Sequence, residues 1–235
     1  MAAARLPGKP LLKINNLSIV SHVFKRAEEA NIGEVVVATE DQEILADVFK
    51  NGGRAILTNK DHKTGTDRIF EAYKKLDIKN VDYILNLQGD EPDINKDDIV
   101  NLNNFMIEHQ AEFGTLAAKI KNDKILSNKN VVKVITQSKL RENNFPIALN
   151  FTRDNLSTDS QNIYHHIGIY SYKISILEKF ISLKQTNNEK EKKLEQLRAL
   201  DNNLKINVAL AKSSPIGVDT EEDYLAIKKI MEYKI

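Results

Sequence analysis

Two acidic residues of the 235-residue chain stand just past short apolar runs. Asp90 follows Tyr83-Ile84-Leu85-Asn86-Leu87 in the segment Gln88-Gly89-Asp90-Glu91-Pro92. Asp219 lies in Gly217-Val218-Asp219-Thr220-Glu221-Glu222-Asp223, after the apolar run 206–211. In open α/β sheets ligands bind beyond the carboxyl ends of the strands. A carboxylate there, beside a Gly that permits close backbone approach, suits Mg²⁺ bound jointly with substrate phosphates. Turn chemistry also accounts for the Gly-Asp and the Pro. Thr220 can cap a helix whose first turn holds Glu222 and Asp223. That account covers everything except Asp219, which is free to complete a metal site with Asp90.

Three further segments carry candidate chemistry. In Arg5-Leu6-Pro7-Gly8-Lys9-Pro10, two cations flank an unhindered Gly amide, an arrangement that can hold a polyphosphate or be a plain surface turn. In Asp61-His62-Lys63-Thr64-Gly65-Thr66-Asp67-Arg68, Thr66 is expected to cap a helix. The alternative is that amides, hydroxyls and Arg68 at this terminus face an anionic or heterocyclic ligand. His165-His166 stands at a strand entrance, where a hydrogen-bonded structural His is commoner than a catalytic one, and no third ligand for zinc is near in sequence. GxxxxGK[ST], GxGxxG, HExxH and nucleophile-elbow motifs are absent.

Composition narrows the classes. With 34 Lys+Arg against 33 Asp+Glu, the formal charge is +1, which argues against wholesale binding of nucleic acid or an anionic membrane. Zero Cys removes disulfides, thiolate metal sites and Cys nucleophiles. No apolar run approaches the roughly 20 residues of a membrane helix. No signal peptide is read, so the expected location is the cytoplasm.

These residues need a scaffold. Apolar residues recur at helical spacing over 17–32, and Val35-Val36-Val37-Ala38 reads as a buried strand. Thr39-Glu40-Asp41 opens a second helix that Asn51-Gly52-Gly53 ends. Strand 55–57, helix 66–76, strand 83–87 and a helix from Asn95 continue the alternation, which predicts a mainly parallel sheet covered on both faces. Beyond Phe113 the pattern turns strand-rich, with strands at 115–120, 131–136, 147–151 and 167–172. The polar stretch 138–162 reads as a long excursion from the main sheet. A charged helix over 189–200, a strand at 206–211 and a helix at 221–235 complete the chain. The residues thus point to an α/β enzyme that binds a phosphorylated ligand with Mg²⁺.

Taken in order, RLPGKP (5–10), VVATED (36–41), DHKTGTDR (61–68), NLQGDEP (86–92), VVKVI (131–135), HHIGIY (165–170), LEQLRAL (194–200) and GVDTEED (217–223) resemble the 3-deoxy-manno-octulosonate (Kdo) cytidylyltransferases. The resemblance implies a three-layer, Rossmann-like mixed sheet of the nucleotide-diphospho-sugar transferase type in one domain over 1–235. It implies a homodimer with the 138–162 excursion at its interface, CTP and Kdo as substrates, and CMP-Kdo and pyrophosphate as products, for lipopolysaccharide synthesis. Arg5 and Lys9 match the triphosphate loop; Thr64, Gly65 and Arg68 match the stretch lining the nucleotide; Gln88 sits where the family contacts its ligands. Asp90 and Asp219 match the two metal-binding aspartates. Arg153, His166, Tyr170, Glu195 and Gln196 match the sugar side. The implied reaction is a direct displacement by the anomeric hydroxyl of Kdo at the α-phosphorus of CTP.

Two departures qualify the match. The family has an apolar strand and further loop residues ahead of the triphosphate loop, and Ala3 stands where the family often has Ser. The expectation is that Met1 is an internal methionine of a longer chain. Asp154-Asn155-Leu156 replaces a more apolar stretch. Alternatives are activation of another acidic sugar, such as an amino-Kdo or a sialic acid, or an inactive, N-terminally truncated nucleotide-binding or dimerisation module.

Overall fold

The structure, a computed structural model, describes residues 6–122, 124–156 and 161–233, so Arg5 lies outside the described residues. A 3-10 turn at Lys9–Leu11 leads into β1 (Lys13–Ile14), β2 (Leu17–Ser18), α1 (Ile19–Ala30), β3 (Val37–Thr39), α2 (Gln42–Lys50), β4 (Ala55–Leu57) and α3 (Gly65–Leu76). Next come β5 (Tyr83–Asn86), α4 (Lys96–Glu108), β6 (Phe113–Ala118), α5 (Lys124–Ser127), β7 (Lys133–Thr136), β8 (Ala148–Thr152) and β9 (Ile163–Lys173). The chain continues through α6 (Ile174–Ser182), α7 (Asn187–Lys192), α8 (Gln196–Asp201), β10 (Asn207–Leu210) and α9 (Glu221–Glu232). It forms two compact units, one of Met1–Lys79, Leu87–Val100 and Pro215–Ile235, the other of Asn80–Asn86 and Asn101–Ser214.

In the first unit, β1 and β2 pair antiparallel around Asn15 and Asn16. Both asparagines take positive φ (48° and 65°), the backbone twist that a two-residue hairpin turn needs. The hairpin delivers Ile14 and α1 delivers Ile19 to a core with Val218, Ile227 and Met231, against which Leu6, Leu12, Ile216 and Tyr224 pack. Segments far apart in sequence are thereby fixed against one another. β3 and β4 pair in parallel, Val37 with Ala55 and Thr39 with Leu57. Asp41 caps α2, its side chain accepting from the Glu43 amide.

In the second unit, a six-stranded sheet runs β10-β6-β9-β7-β8, with β5 also paired to β9. The long β9 lies antiparallel to β5, β6 and β7, while β10 is parallel to β6. β5, β6, β7 and β10 therefore run one way and β8 and β9 the other: the sheet is mixed, with its strands mainly co-directional. A register shift between Thr115 and Leu116 lets β6 follow β9 past a bulge. Gly114 is required by packing, since a Cβ there would lie 2.5 Å from the Met106 sulfur and 2.9 Å from Phe145.

Three expectations are corrected. The cap of α3 is Thr64, whose side chain accepts from the Asp67 amide, and Thr66 is buried within the first turn. The helix expected over 189–200 is two short helices broken at Lys193, which takes φ of 53°. The 138–162 stretch is not all excursion, because its residues 148–152 form β8, the edge strand of the sheet, on β7.

Candidate active site

Lys9, Asp90 and Asp219 meet in the first unit. Gly8 takes φ of 68°, a conformation that favours glycine, and opens the 3-10 turn that carries Lys9. Leu6 and Leu12, on either side of that turn, pack on the core that holds Val218. The Val218 amide donates to the Asp90 carbonyl at 2.9 Å, joining the two acidic segments through the main chain. The Lys9 ammonium is consequently 2.8 Å from Asp90 Oδ2 and 3.3 Å from Asp219 Oδ1. Thr220 caps α9 in a reciprocal box with Asp223, as the sequence suggested, and Asp219 points instead to Lys9. Glu91, beside Asp90, is pushed up to about 8 by burial and by the Asp90 charge.

The two carboxylates reached by one ammonium form a hard oxygen-donor set. Mg²⁺ characteristically takes one or two carboxylates and completes its shell with waters and phosphate oxygens, so the donors fit that ion. No cluster of three or more metal-holding His, Cys, Asp or Glu side chains occurs among the described residues.

Also in this unit, the loop after β4 is tied down from α3. Arg68 pairs with Glu40 and donates to Thr58 Oγ1 at 2.6 Å and to the Asn59 carbonyl at 3.2 Å. Its guanidinium therefore shapes the loop as well as lending charge. Glu71, which sequence reasoning missed, accepts from the Asn59 amide, from His62 and from Lys75. The Lys75 hydrogen bond, the Asn59 amide and the His62 bond together bring its carboxyl down to about 2, against the opposing effect of burial. Thr64 and Gly65 form the α3 N-terminus, and Gln88 is exposed in the loop after β5.

The second unit gathers the other candidates. His166 is buried on β9, its Nε2 3.0 Å from Thr115 Oγ1. That hydroxyl gives its proton to the Ile169 carbonyl at 2.6 Å, so it accepts from His166 Nε2–H and leaves Nδ1 as the acceptor nitrogen. Burial first, then the neighbouring His165 and Arg153, lower His166 to about 3, so it is neutral. Tyr170 lies 5.4 Å from the His166 ring. Its hydroxyl is pushed up by burial and by Glu195, against the opposing effect of Arg153. Glu195 precedes α8, 3.7 Å from Arg198, and Gln196 is buried at the first position of that helix. Arg153 donates from Nη1 to the Asn130 carbonyl at 2.7 Å. Lys133 was also missed; a Lys inside the β-branched run Val131-Val132-Lys133-Val134-Ile135 was its signal.

The mixed α/β fold is one that solved nucleotidyltransferases share. An apo UDP-glucose pyrophosphorylase superposes with a TM-score of 0.73 over 100% of this chain and 96% of its own, at 12% identity, a likeness of fold alone. The chain belongs to the cytidylyltransferase family, whose model matches residues 1–206. It is 43% identical over 98% of its length to the 3-deoxy-manno-octulosonate cytidylyltransferase of Afipia carboxidovorans, covering 93% of that protein. The protein of the same name from Nitrobacter hamburgensis is 42% identical, with 98% of this chain and 89% of that one covered. A solved CMP:2-keto-3-deoxy-manno-octonic acid synthetase complexed with CTP superposes with a TM-score of 0.88 at 31% identity, over 99% of this chain and 95% of its own. Among the described residues no helix is long and apolar enough to cross a membrane.

Proposed function

We propose that this chain transfers the cytidylyl group of CTP to Kdo, releasing pyrophosphate. The observation that carries the reading is the convergence of Asp90 and Asp219 on the Lys9 ammonium, a ready receiver for a triphosphate with its cation. The names of the relatives and the CTP complex of the similar synthetase support the choice of substrates. Asp90 and Asp219 would hold Mg²⁺, which when bound offsets phosphate charge and orients the reacting groups.

Lys9 exchanges its carboxylate partners for phosphate oxygens and steadies the departing pyrophosphate through charge-assisted hydrogen bonds. Arg5 is assigned the same task by its motif. Thr64, Gly65, Arg68 and Gln88 line the nucleotide. Arg153 pairs with the sugar carboxylate, and His166 Nδ1 accepts a sugar hydroxyl, with Tyr170, Glu195 and Gln196 completing that pocket. The anomeric hydroxyl attacks the α-phosphorus and gives up its proton to solvent, the bond to the β-phosphate breaks, and pyrophosphate leaves with the electron pair; no covalent enzyme intermediate forms. The product would serve lipopolysaccharide synthesis in the cytoplasm. A homodimer contact through 138–162 is supported by Leu149, 56% exposed on the edge strand β8.

Pyrophosphate release is expected only when CTP, Kdo and Mg²⁺ are all supplied. Faster release with a sialic acid, or none with any acidic sugar, overturns the reading.

A further inference from the structure

Lys133 is wholly buried, at 0% exposure, where β7 begins. It stands between two neighbours in register, Thr152 on β8 and His165 on β9. Its ammonium donates to two main-chain carbonyls, Asn128 at 3.0 Å and Arg153 at 3.1 Å. Burying a charge is costly unless it is matched, and these dipoles are a weaker match than a carboxylate. Burial lowers Lys133 from its ordinary range, while the negative charge of Asp154 partly offsets that effect and Arg153 adds to it. An apolar side chain of the same length would fill the space without that cost, so the ammonium is there for what it holds.

It holds Arg153 from behind. The Arg153 guanidinium donates to the Asn130 carbonyl at 2.7 Å. Asn130 belongs to the same short turn as Asn128, closed by the Asn130 amide on Asn128 Oδ1 at 2.9 Å and the Val131 amide on the Asn128 carbonyl at 3.2 Å. One turn is therefore gripped twice, at Asn128 by Lys133 and at Asn130 by the head of Arg153. The main chain of Arg153 is gripped by Lys133 as well. Both the root of the Arg153 side chain and the carbonyl that aims its head are referred to a single ammonium. Without it, the end of β8 and the turn before β7 lose their common anchor, and a long side chain with several rotatable bonds loses its direction.

We propose that Lys133 is a positioning residue for Arg153, setting the guanidinium that receives the carboxylate of the sugar acid. The proposal rests on the assignment of Arg153 to the sugar side made above. The test is a double-mutant cycle of Lys133→Met and Arg153→Ala, with KM measured separately for Kdo and for CTP. Lys133→Met alone is expected to raise KM for Kdo tenfold or more and to leave KM for CTP within twofold. In the Arg153→Ala background it is expected to add less than twofold. If its effect is undiminished in that background, or falls equally on both substrates, Lys133 is merely structural and the proposal fails while the assignment of Arg153 stands. If Arg153→Ala leaves KM for Kdo unchanged, that assignment itself fails and takes the proposal with it. Should Lys133→Met not fold, Lys133→Gln is put through the same cycle, its amide retaining donors for the two carbonyls. A smaller rise in KM for Kdo that vanishes with Arg153→Ala supports the positioning role, and one that persists overturns it.

Discussion

The Lys9 ammonium in the first unit and the Arg198 guanidinium in the second each meet two carboxylates, yet they are built for different ends. Lys9 reaches Asp90 and Asp219 with one contact each, and those side chains are 31% and 50% exposed. Arg198 and Glu189 are 3% and 4% exposed and joined by two parallel bonds of 2.9 and 2.6 Å, with Glu195 at 3.7 Å. The guanidinium also lies over the Phe180 ring, 4.7 Å from its centroid. Glu189 is further committed to the capping box of α7 with Thr186. An ammonium that holds each of two part-exposed carboxylates by a single bond can change partners when phosphate arrives. A sealed, bidentate pair cannot, and its place beside Glu195 and Gln196 gives it the task of fixing the α7–α8 junction.

The largest effect should come from breaking the sealed pair. Glu189→Gln leaves the Arg198 charge buried without its full partner, and a loss of about 3–5 kcal/mol is expected in urea unfolding. Replacing both residues by Met should recover most of that loss, since the pair's desolvation cost disappears with it. A loss below about 1 kcal/mol for the single variant would show that the junction is held by something else.

Breaking the open cluster should do the reverse. Asp90→Asn is expected to lower kcat by roughly 10²–10³-fold, the scale of losing one preorganised polar group that stabilises a transition state, with the unfolding midpoint little changed. A large midpoint shift with activity retained would make Lys9–Asp90 a structural bridge and erase the contrast between the units.

How much of this was legible in the sequence follows the same division. Carboxylates at strand ends were readable because strand, Gly and acid are contiguous in Leu87-Gln88-Gly89-Asp90. Asp219 was singled out because the cap of α9 left it unused, and it does point away to Lys9. That Asp219 could join Asp90 was offered from the sequence, but their convergence on Lys9 was not readable there, since it depends on Val218 sharing a core with the segments around the Lys9 turn. Thr66 was read as the cap of α3, although Thr64 is the threonine with an acidic residue three positions on, at Asp67. The break at Lys193 left no trace, because a positive φ was needed at a residue that does not advertise it. Lys133 acts through main-chain carbonyls and Glu71 partly through the Asn59 amide, contacts that have no spacing rule to find them by; only the pairing of Glu71 with Lys75, four residues on, had one.

A third prediction sharpens what being sealed means. His166 is held near 3 in the native protein against an ordinary 6.5, chiefly by burial. The unfolded chain therefore binds a proton below pH 6.5 that the folded one refuses, and stability falls as the pH drops from 6.5 toward 3. Between pH 7 and pH 5 the cost should reach about 2 kcal/mol. His166→Gln, which can still donate to Thr115, should flatten that slope in denaturant titrations run at each pH. An unchanged slope would mean that His166 takes up the proton inside the fold, and that the pocket is wet.

The smallest effect tests how the open cluster is held from behind. The Asp223 carboxylate accepts from the Asp219 amide at 3.1 Å and the Thr220 amide at 2.9 Å, while Thr220 Oγ accepts from the Asp223 amide at 3.2 Å. Thr220→Ala removes the last of these and the bond that the Thr220 hydroxyl donates to Asp223 Oδ2 at 2.9 Å, and should cost about 1 kcal/mol in unfolding, as for other N-caps. It should leave kcat within a few-fold, because the Asp219 amide keeps its partner. Asp223→Ala should cost a similar amount of stability but weaken the Mg²⁺ dependence of pyrophosphate release as well, because it frees the main chain beneath Asp219. If the two variants prove alike in their response to Mg²⁺, Asp219 is aimed by its own pairing with Lys9, and the helix cap contributes stability alone.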